Sequence, residues 1–350
     1  MSDEPFRIGI GTDGVDAKIR MIDSAQAMLD AGARIEVVPF TADRDRPITT
    51  AEFDAVDVVI AGGQRFTRET LAGSRRCAGI VRYGAGFDRV DVQACTEAGV
   101  ILATTPEGIR RSMATAAVLH ILVLATRMMQ KRTIMYDGRW YDAESVNEMG
   151  ETLTDKTIGY VGFGNIGQDL YRLLQPFQVR NLVYDPYLNE ERVRGLDIER
   201  VDLPTLLRRA DYAVVLCNLT EETRHLIGEP ELAQMKPSAY LVNVARGGIV
   251  DQAALTRALA AGTIRGAGLD AVDPEPMALD DPLLRMESVN ISPHALGTAD
   301  EMLRTCSELC VEAALDIQHG RVPRHVINRD VLESELTRRR QSELAQRFGT

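Results

Sequence analysis

One tryptophan, five cysteines and no excess of positive charge set the first limits on this 350-residue chain. The cysteines (Cys77, Cys95, Cys217, Cys306 and Cys310) form no CxxC pair and have no companion histidine at ligand spacing. That argues against a disulfide framework and a structural zinc site, and fits a reducing cytosol. Cys306 and Cys310 stand one helical turn apart and read as small apolar residues on a helix face. With 40 basic against 51 acidic side chains, the formal charge is −11. This disfavours nucleic acid and an anionic membrane surface as partners. The most apolar segment, Met113 to Ala125, reads as too short to cross a bilayer and contains His120. The opening Met-Ser-Asp-Glu-Pro lacks the basic-then-apolar pattern of a secretion signal, so a cytoplasmic location is expected. There is no fixed-period repeat and no low-complexity tract.

What is present is an ordinary globular composition, 45% hydrophobic and 26% charged, in a chain long enough for two domains. Short Val/Ile-rich runs alternate with helix-like segments: Arg7 to Ile10, Arg34 to Val38, Ala55 to Ile60, Gly79 to Arg82 and Gly99 to Ala103, with Asp57 interrupting the third. A second series starts at Lys156 and includes Asp211 to Leu216, Ala239 to Val244, Gly266 to Asp270 and Val289 to Ser292. The alternation predicts an α/β fold with two doubly wound, Rossmann-like parallel sheets. Between the series, Arg110 to Met129 reads as one long crossing helix. Residues 131 to 155 are polar, with little periodicity, and hold Arg139-Trp140-Tyr141. The tail from Asp330 reads as a polar terminal helix or a disordered end.

The stretch from Lys156 to Asp185 carries the clearest chemistry. An apolar run opens into Gly162-Phe-Gly164-Asn165-Ile166-Gly167, a helical segment follows, and a second apolar run ends in Asp185. Gly162 lets the strand turn sharply, Gly164 has no Cβ to hold a pyrophosphate away, and Gly167 lets the helix pack closely. Backbone amides at the helix start would face the phosphates. Asp185 is placed to accept from a ribose diol and to repel a 2′-phosphate, which favours NAD over NADP. The same pattern at Gly9-Ile-Gly11-Thr-Asp-Gly14 reads as a decoy. Asp13 would put a carboxylate inside the phosphate loop, and Glu36 falls near the start of its strand.

Ligands of an open parallel sheet bind beyond the carboxyl ends of its strands. Three reactive residues follow predicted strands of the second series directly: Arg246, Glu275 and His294. Histidine exchanges a proton with an alcohol or ketone oxygen, and a neighbouring carboxylate stabilises the imidazolium. Arginine offers a fork for a carboxylate and an adjacent carbonyl. With a hydride carrier, the set suits oxidation of a 2-hydroxy acid or reduction of a 2-keto acid. Pro274, Pro276 and Pro293 restrict the backbone around Glu275 and His294. Arg110 and Arg111 read as a solvated helix start, His120 as structural, and no metal site is expected.

Taken together, Gly162 to Gly167, Asn243 to Asp251, Asp270 to Pro276 and Pro293-His294 resemble the D-isomer-specific 2-hydroxyacid dehydrogenase family over nearly all of residues 6 to 328. The resemblance implies an NAD-binding Rossmann domain, 106–295, inserted into a split flavodoxin-like substrate domain, 1–105 plus 296–330, followed by a tail, 331–350. It implies an NAD-dependent oxidoreductase that moves a hydride between nicotinamide and C2 of a D-2-hydroxy or 2-keto acid, phosphoglycerate dehydrogenase-like in type. Arg246 is then the substrate anchor, His294 the acid/base, Glu275 its partner, and Asp270 a neighbour of the nicotinamide amide. Asn165, Ile166, Asn218, Ala245, Arg246 and His294 join the glycines and Asp185 as cofactor-binding positions. The backbone amides of Gly84, Ala85 and Gly86 are implied to hold the substrate carboxylate, and a homodimer through the 110–150 region is expected. Two stretches depart from the family pattern. Met113-Ala-Thr115 stands where Val-Ala-Glu is usual, and Leu216-Cys-Asn218 where the strand usually ends in His-x-Pro. Tyr184 to Leu188 and Asn218 resemble the C-terminal binding protein corepressors, which keeps open an NAD-sensing, partner-binding role. A dehydrogenase of formate or phosphite type is the third reading.

Overall fold

The computed structural model describes residues 4–32, 34–41, 43, 45–140 and 149–349. The chain divides into two compact units, residues 1–109 with 299–350, and residues 110–298. The division falls within a helix, a few residues beyond the boundaries read from the sequence.

The first unit is built on strands β1 (Phe6–Gly11), β2 (Ile35–Phe40), β3 (Val58–Ala61), β4 (Gly79–Arg82) and β5 (Ile101–Thr104). They form one parallel sheet in the order β2-β1-β3-β4-β5. β3, β4 and β5 are buried along their whole length, as β-branched runs covered on both faces must be. One face packs Ile8, Ile60 and Val81 on the helix Asp300–Gln318. The other packs Val59, Ile80 and Leu102 on Phe53, Leu71 and Cys95. β3 begins only at Val58 because Asp57 is buried and spoken for: it accepts the Arg7 amide at 2.8 Å and pairs with Arg76 Nη2 at 3.0 Å.

The second unit holds β6 (Thr157–Val161), β7 (Arg180–Tyr184), β8 (Glu199–Arg200), β9 (Tyr212–Val215), β10 (Tyr240–Asn243), β11 (Gly266–Leu269) and β12 (Val289–Ile291). Its parallel order is β12-β11-β10-β9-β6-β7-β8. The chain winds outward from β6 to β8 and then from β9 to β12 the other way, so the topology switches between β6 and β9. The two-residue edge strand β8 is polar and had no legible pattern.

Three sequence expectations change. The helix expected over Arg110–Met129 is two helices, Pro106–Thr126 and Met128–Tyr136, broken at Arg127, whose φ is +52°. A single left-handed residue suffices to stop a helix without glycine or proline. At 21 residues the first of these helices is long and apolar enough to cross a membrane, longer than the segment read from the sequence. Its Ala114, Ala117, Ile121 and Leu124 instead pack into the core of the second unit against Ile158 and Tyr160. Of the expected 110–150 interface, residues 141–148 lie outside the described residues, as does Tyr141 of the aromatic trio.

The segment set apart as a tail, 331–350, is the third correction. Its helix Glu335–Phe348 is part of the first unit. Phe348 meets Phe6 edge-on at 5.6 Å between centroids. Arg340 is buried and donates to the carbonyls of Ala98 (2.9 Å), Gly99 (3.2 Å) and Ser74 (2.6 Å), capping the end of the helix Val92–Glu97 with a cation. Arg340→Met would strand three buried carbonyls. A loss of about 3 kcal/mol is expected, read as a lower urea midpoint; an unchanged midpoint would remove the cap from the list of stabilising contacts.

Candidate active site

The loop after β6 has the geometry that a dinucleotide needs. Gly162 has φ +93°, and an added Cβ would sit 2.7 Å from the Cys217 amide nitrogen. At Gly164 an added Cβ would meet nothing within 4 Å, so the position opens outward. The helix Asn165–Leu174 begins there with no side-chain cap on its first amides. Asp185, just past β7, ties this loop in place: its Oδ2 accepts the Phe163 amide at 2.8 Å and its Oδ1 the Tyr187 amide at 2.9 Å. A carboxylate oxygen takes two acceptor bonds, so room remains for a ribose diol. The residues present therefore fit NAD.

The similar loop in the first unit shows the contrast. Asp13 Oδ2 accepts the Gly63 amide at 2.8 Å, and a Cβ on Gly11 would lie 2.7 Å from Asp13 Oδ1. The carboxylate occupies the mouth of that turn, and the helix after it is only six residues long. An anion there would meet like charge.

Arg246, Glu275 and His294 all leave the carboxyl ends of neighbouring strands, β10, β11 and β12. Asn243 fixes the first: its Nδ2 donates to the Arg246 carbonyl (2.9 Å) and its Oδ1 accepts the Ala245 amide (3.0 Å). Gly247 then lets the next loop approach, since an added Cβ would run into the Val272 carbonyl. Arg246 is half-buried, with Nη1 donating to the Ala245 carbonyl at 2.8 Å, and its charge is felt at Glu275.

His294 Nδ1 lies 3.0 Å and 2.9 Å from the two oxygens of Glu275. Burial pushes the Glu275 carboxyl up, but the His294 hydrogen bond and charge, the Val272 amide and Arg246 outweigh it, so its pKa is held below the usual glutamate value. A carboxylate only accepts, so Nδ1 carries the proton and Nε2 is the nitrogen left for exchange. The His294 backbone sits at φ +52°, in the left-handed region that few non-glycine residues adopt. Asp270 holds it there. This buried carboxylate takes Ser292 Oγ (2.8 Å) and the amides of Ala295 (3.1 Å) and Leu296 (3.2 Å) on Oδ1. His120 lies close by in the core. Burial drives its pKa down to about 4, against the pull of Asp270, and it stays neutral at working pH.

Other expected residues fall differently. Asn218 is exposed after β9, its carbonyl accepting Thr223 Oγ1 at 2.6 Å, and Cys217 beside it has a thiol that burial pushes up to about 11, which rules out a thiolate at neutral pH. Arg110 and Arg111 are not merely solvated: their Nε atoms lie 3.2 Å and 3.5 Å from the buried Asp169, which Arg172 also pairs at 2.9 Å. Only the fold reveals that partner. Gly84, Ala85 and Gly86 belong to the first unit, where Gly84 has φ +116°, its amide donates to Thr105 Oγ1 at 2.8 Å, and Arg82 Nε donates to the Gly86 carbonyl at 3.2 Å.

Comparison with known proteins adds four likenesses. Residues 118–295 match the family described as D-isomer specific 2-hydroxyacid dehydrogenase, NAD binding domain. The chain is 35% identical to the glyoxylate reductase of Korarchaeum cryptofilum over 255 residues, 73% of this chain and 77% of that one. It is 33% identical to the D-3-phosphoglycerate dehydrogenase of Methanocaldococcus jannaschii over 79% of this chain but 52% of the relative. Among solved structures, a glyoxylate reductase from Paecilomyes thermophila superposes with a TM-score of 0.78 over 94% of this chain and 100% of that one; at 24% identity this likeness speaks for the fold alone.

Two measurements test the geometry. Gly164→Val should abolish NADH binding with an unchanged melting temperature, whereas Gly162→Ala should lower the melting temperature itself; the reverse pattern would contradict the assignment of these glycines. Because the Glu275 pKa is depressed on folding, its pairing stabilises the protein above the usual glutamate value of about 4.5 and is lost as pH falls through the lower folded value. Glu275→Gln should therefore flatten the stability loss between about pH 5 and pH 3, followed by urea titration at each pH.

Proposed function

Because the chain belongs to the D-isomer specific 2-hydroxyacid dehydrogenase family and is an NAD-dependent oxidoreductase, we propose that it interconverts a small D-2-hydroxy acid and its 2-keto acid with His294 as the acid/base. The observation that carries this reading is the Glu275–His294 pair, 2.9 Å between Oε2 and Nδ1, at the strand ends that also bear Arg246. Hydride exchange is the chemistry that NAD supplies when bound, and Gly162 to Gly167 with Asp185 are the residues proposed to hold it.

The proton part belongs to the protein. In reduction of a keto acid, imidazolium Nε2 donates to the carbonyl oxygen while Glu275 stabilises the cation; in oxidation, neutral Nε2 receives the hydroxyl proton. In either direction Nδ1 keeps its proton on Glu275, so the tautomer does not change. Arg246 is proposed to grip the substrate carboxylate and polarise the neighbouring carbonyl.

Glyoxylate or a close homologue is the proposed substrate. Its likeness to the glyoxylate reductase of Korarchaeum cryptofilum, 35% identical over 77% of that protein, supports this choice. A cytoplasmic location fits five free cysteines. A homodimer is supported by exposed Met128, Met135, Tyr136, Trp140 and Met149, apolar surface of the kind a second copy covers.

NADH oxidation against glyoxylate, hydroxypyruvate, pyruvate and phosphohydroxypyruvate tests the reading. Turnover is expected for the small unphosphorylated acids, and His294→Ala should lower kcat by about 10²–10⁴-fold with NADH affinity unchanged. Equal losses in kcat and NADH affinity would count against the acid/base role. NADH binding without turnover of any keto acid would shift the reading to an NAD sensor.

A further inference from the structure

The helix Pro106–Thr126 carries one histidine in its apolar second half, and His120 is fully buried there. Space for the ring comes from Gly268 on β11, where an added Cβ would lie 2.7 Å from His120 Nδ1. The imidazole therefore lies against bare strand backbone. The register pairs Gly268 with Asn290 on β12, and the Asn290 side-chain amide donates to His120 Nδ1 at 3.1 Å. An NH2 group only donates, so Nδ1 is the acceptor and the ring proton sits on Nε2. Nε2 is buried and has no hydrogen-bond partner among the described residues. For stability alone an aliphatic side chain would serve this core better, because a buried N–H without a partner is costly. What the imidazole adds is a hold on Asn290.

β12 depends on such a hold. It is three residues long and outermost in its sheet, so its backbone pairs with β11 alone. Side chains two apart on a strand share a face, so Gly268 and Asn290 are followed on that face by Asp270 and Ser292, joined at 2.8 Å between Ser292 Oγ and Asp270 Oδ1. His294 comes two residues later, its loop closed by the Ala295 and Leu296 amides on the same carboxylate. Two polar pairs in succession thus run from the helix to the proposed acid/base. The charge of Asp270 is felt at His120, as their neighbouring places on this face require.

We propose that His120 is a positioning residue for His294: by accepting from Asn290 it fixes the outer strand against the helix, and the fixed strand delivers Ser292 to Asp270 and His294 to Glu275. The proposal rests on the acid/base reading of His294 and extends it to a core residue that reaches the site only through β12. His120 exchanges no proton in this role. Burial keeps it neutral, so its contact with Asn290 is present at any working pH.

The test is turnover and amide hydrogen exchange in the full chain. Wild type, His120→Leu, His120→Gln, Asn290→Ala and the double variant His120→Leu/Asn290→Ala are compared well below their melting temperatures, with kcat for glyoxylate reduction expressed per NADH-binding site. Asn290 is only half-buried, so its variant probes the same tie with little risk to folding. His120→Leu and Asn290→Ala should each lower kcat about tenfold, the scale of a small misplacement of a catalytic group. The double variant should lose no more than either single change, because one contact is broken in all three. His120→Gln, whose side-chain carbonyl can still accept from Asn290, should recover most of the loss. The Kd of ADP-ribose should not move, and exchange should quicken in residues 289–296 but not in 157–174. A lower melting temperature with kcat per site unchanged, single effects that multiply in the double variant, or no recovery with glutamine would overturn the positioning role. A wild type that binds NADH but turns over no keto acid would instead overturn the acid/base reading, and the exchange pattern would still decide the tie: faster exchange at 289–296 in His120→Leu supports it, and unchanged exchange removes it.

Discussion

Three donors, the Ser292 hydroxyl and the amides of Ala295 and Leu296, converge on one oxygen of the buried Asp270, and His294 stands between them with its backbone in the left-handed region. A carboxylate withdrawn from water costs several kcal/mol unless donors surround it, so this loop cannot relax without uncovering a charge. The conformational strain at His294 is thereby held by an interaction larger than itself. Glu275 completes the arrangement from the next strand end, fixing the ring where Asp270 has fixed the backbone. His120 stays neutral beside this carboxylate because burial outweighs the pull of Asp270.

The two units use one type of strand-to-helix turn for different ends, and a single carboxylate separates them. In the second unit the turn is bare at Gly164 and its helix runs ten residues; in the first, Asp13 lies across the turn and the helix stops after six. The backbone pattern gives both loops the capacity to face an anion. Local charge decides which of them does.

Much of this was legible beforehand because the relevant signals are short-range. Buried parallel strands read as runs of Val and Ile, the glycine loop follows from backbone geometry, and Arg246, Glu275 and His294 could be placed on one edge because each directly follows a strand. What stayed hidden depends on partners far away in sequence. Arg340 looks solvated within Arg338-Arg-Arg340 until the fold brings the carbonyls of Ser74, Ala98 and Gly99 to it. Arg110 and Arg111 look free until Asp169 is found buried between them and Arg172. The break at Arg127 carries no glycine or proline, so propensity alone extended the helix through it. Tyr187 lies in the Tyr184 to Leu188 stretch singled out in the sequence, but its hydrogen bond to Glu222 exists only once the strand order is known.

The first unit is closed by residues from the far side of the insertion. Its core face of Ile8, Val58, Ile60 and Val81 is covered by Cys310, Val311, Ala314 and Ile317, and the helix after them brings Phe348 onto Phe6. Residues 110–298 emerge between the two halves and contain a complete sheet with cores on both faces. During synthesis the inserted unit therefore has all the contacts it needs while the earlier strands still lack a wall, and order of translation becomes order of folding. Until residues 299–350 follow, β1, β3 and β4 have one apolar face uncovered.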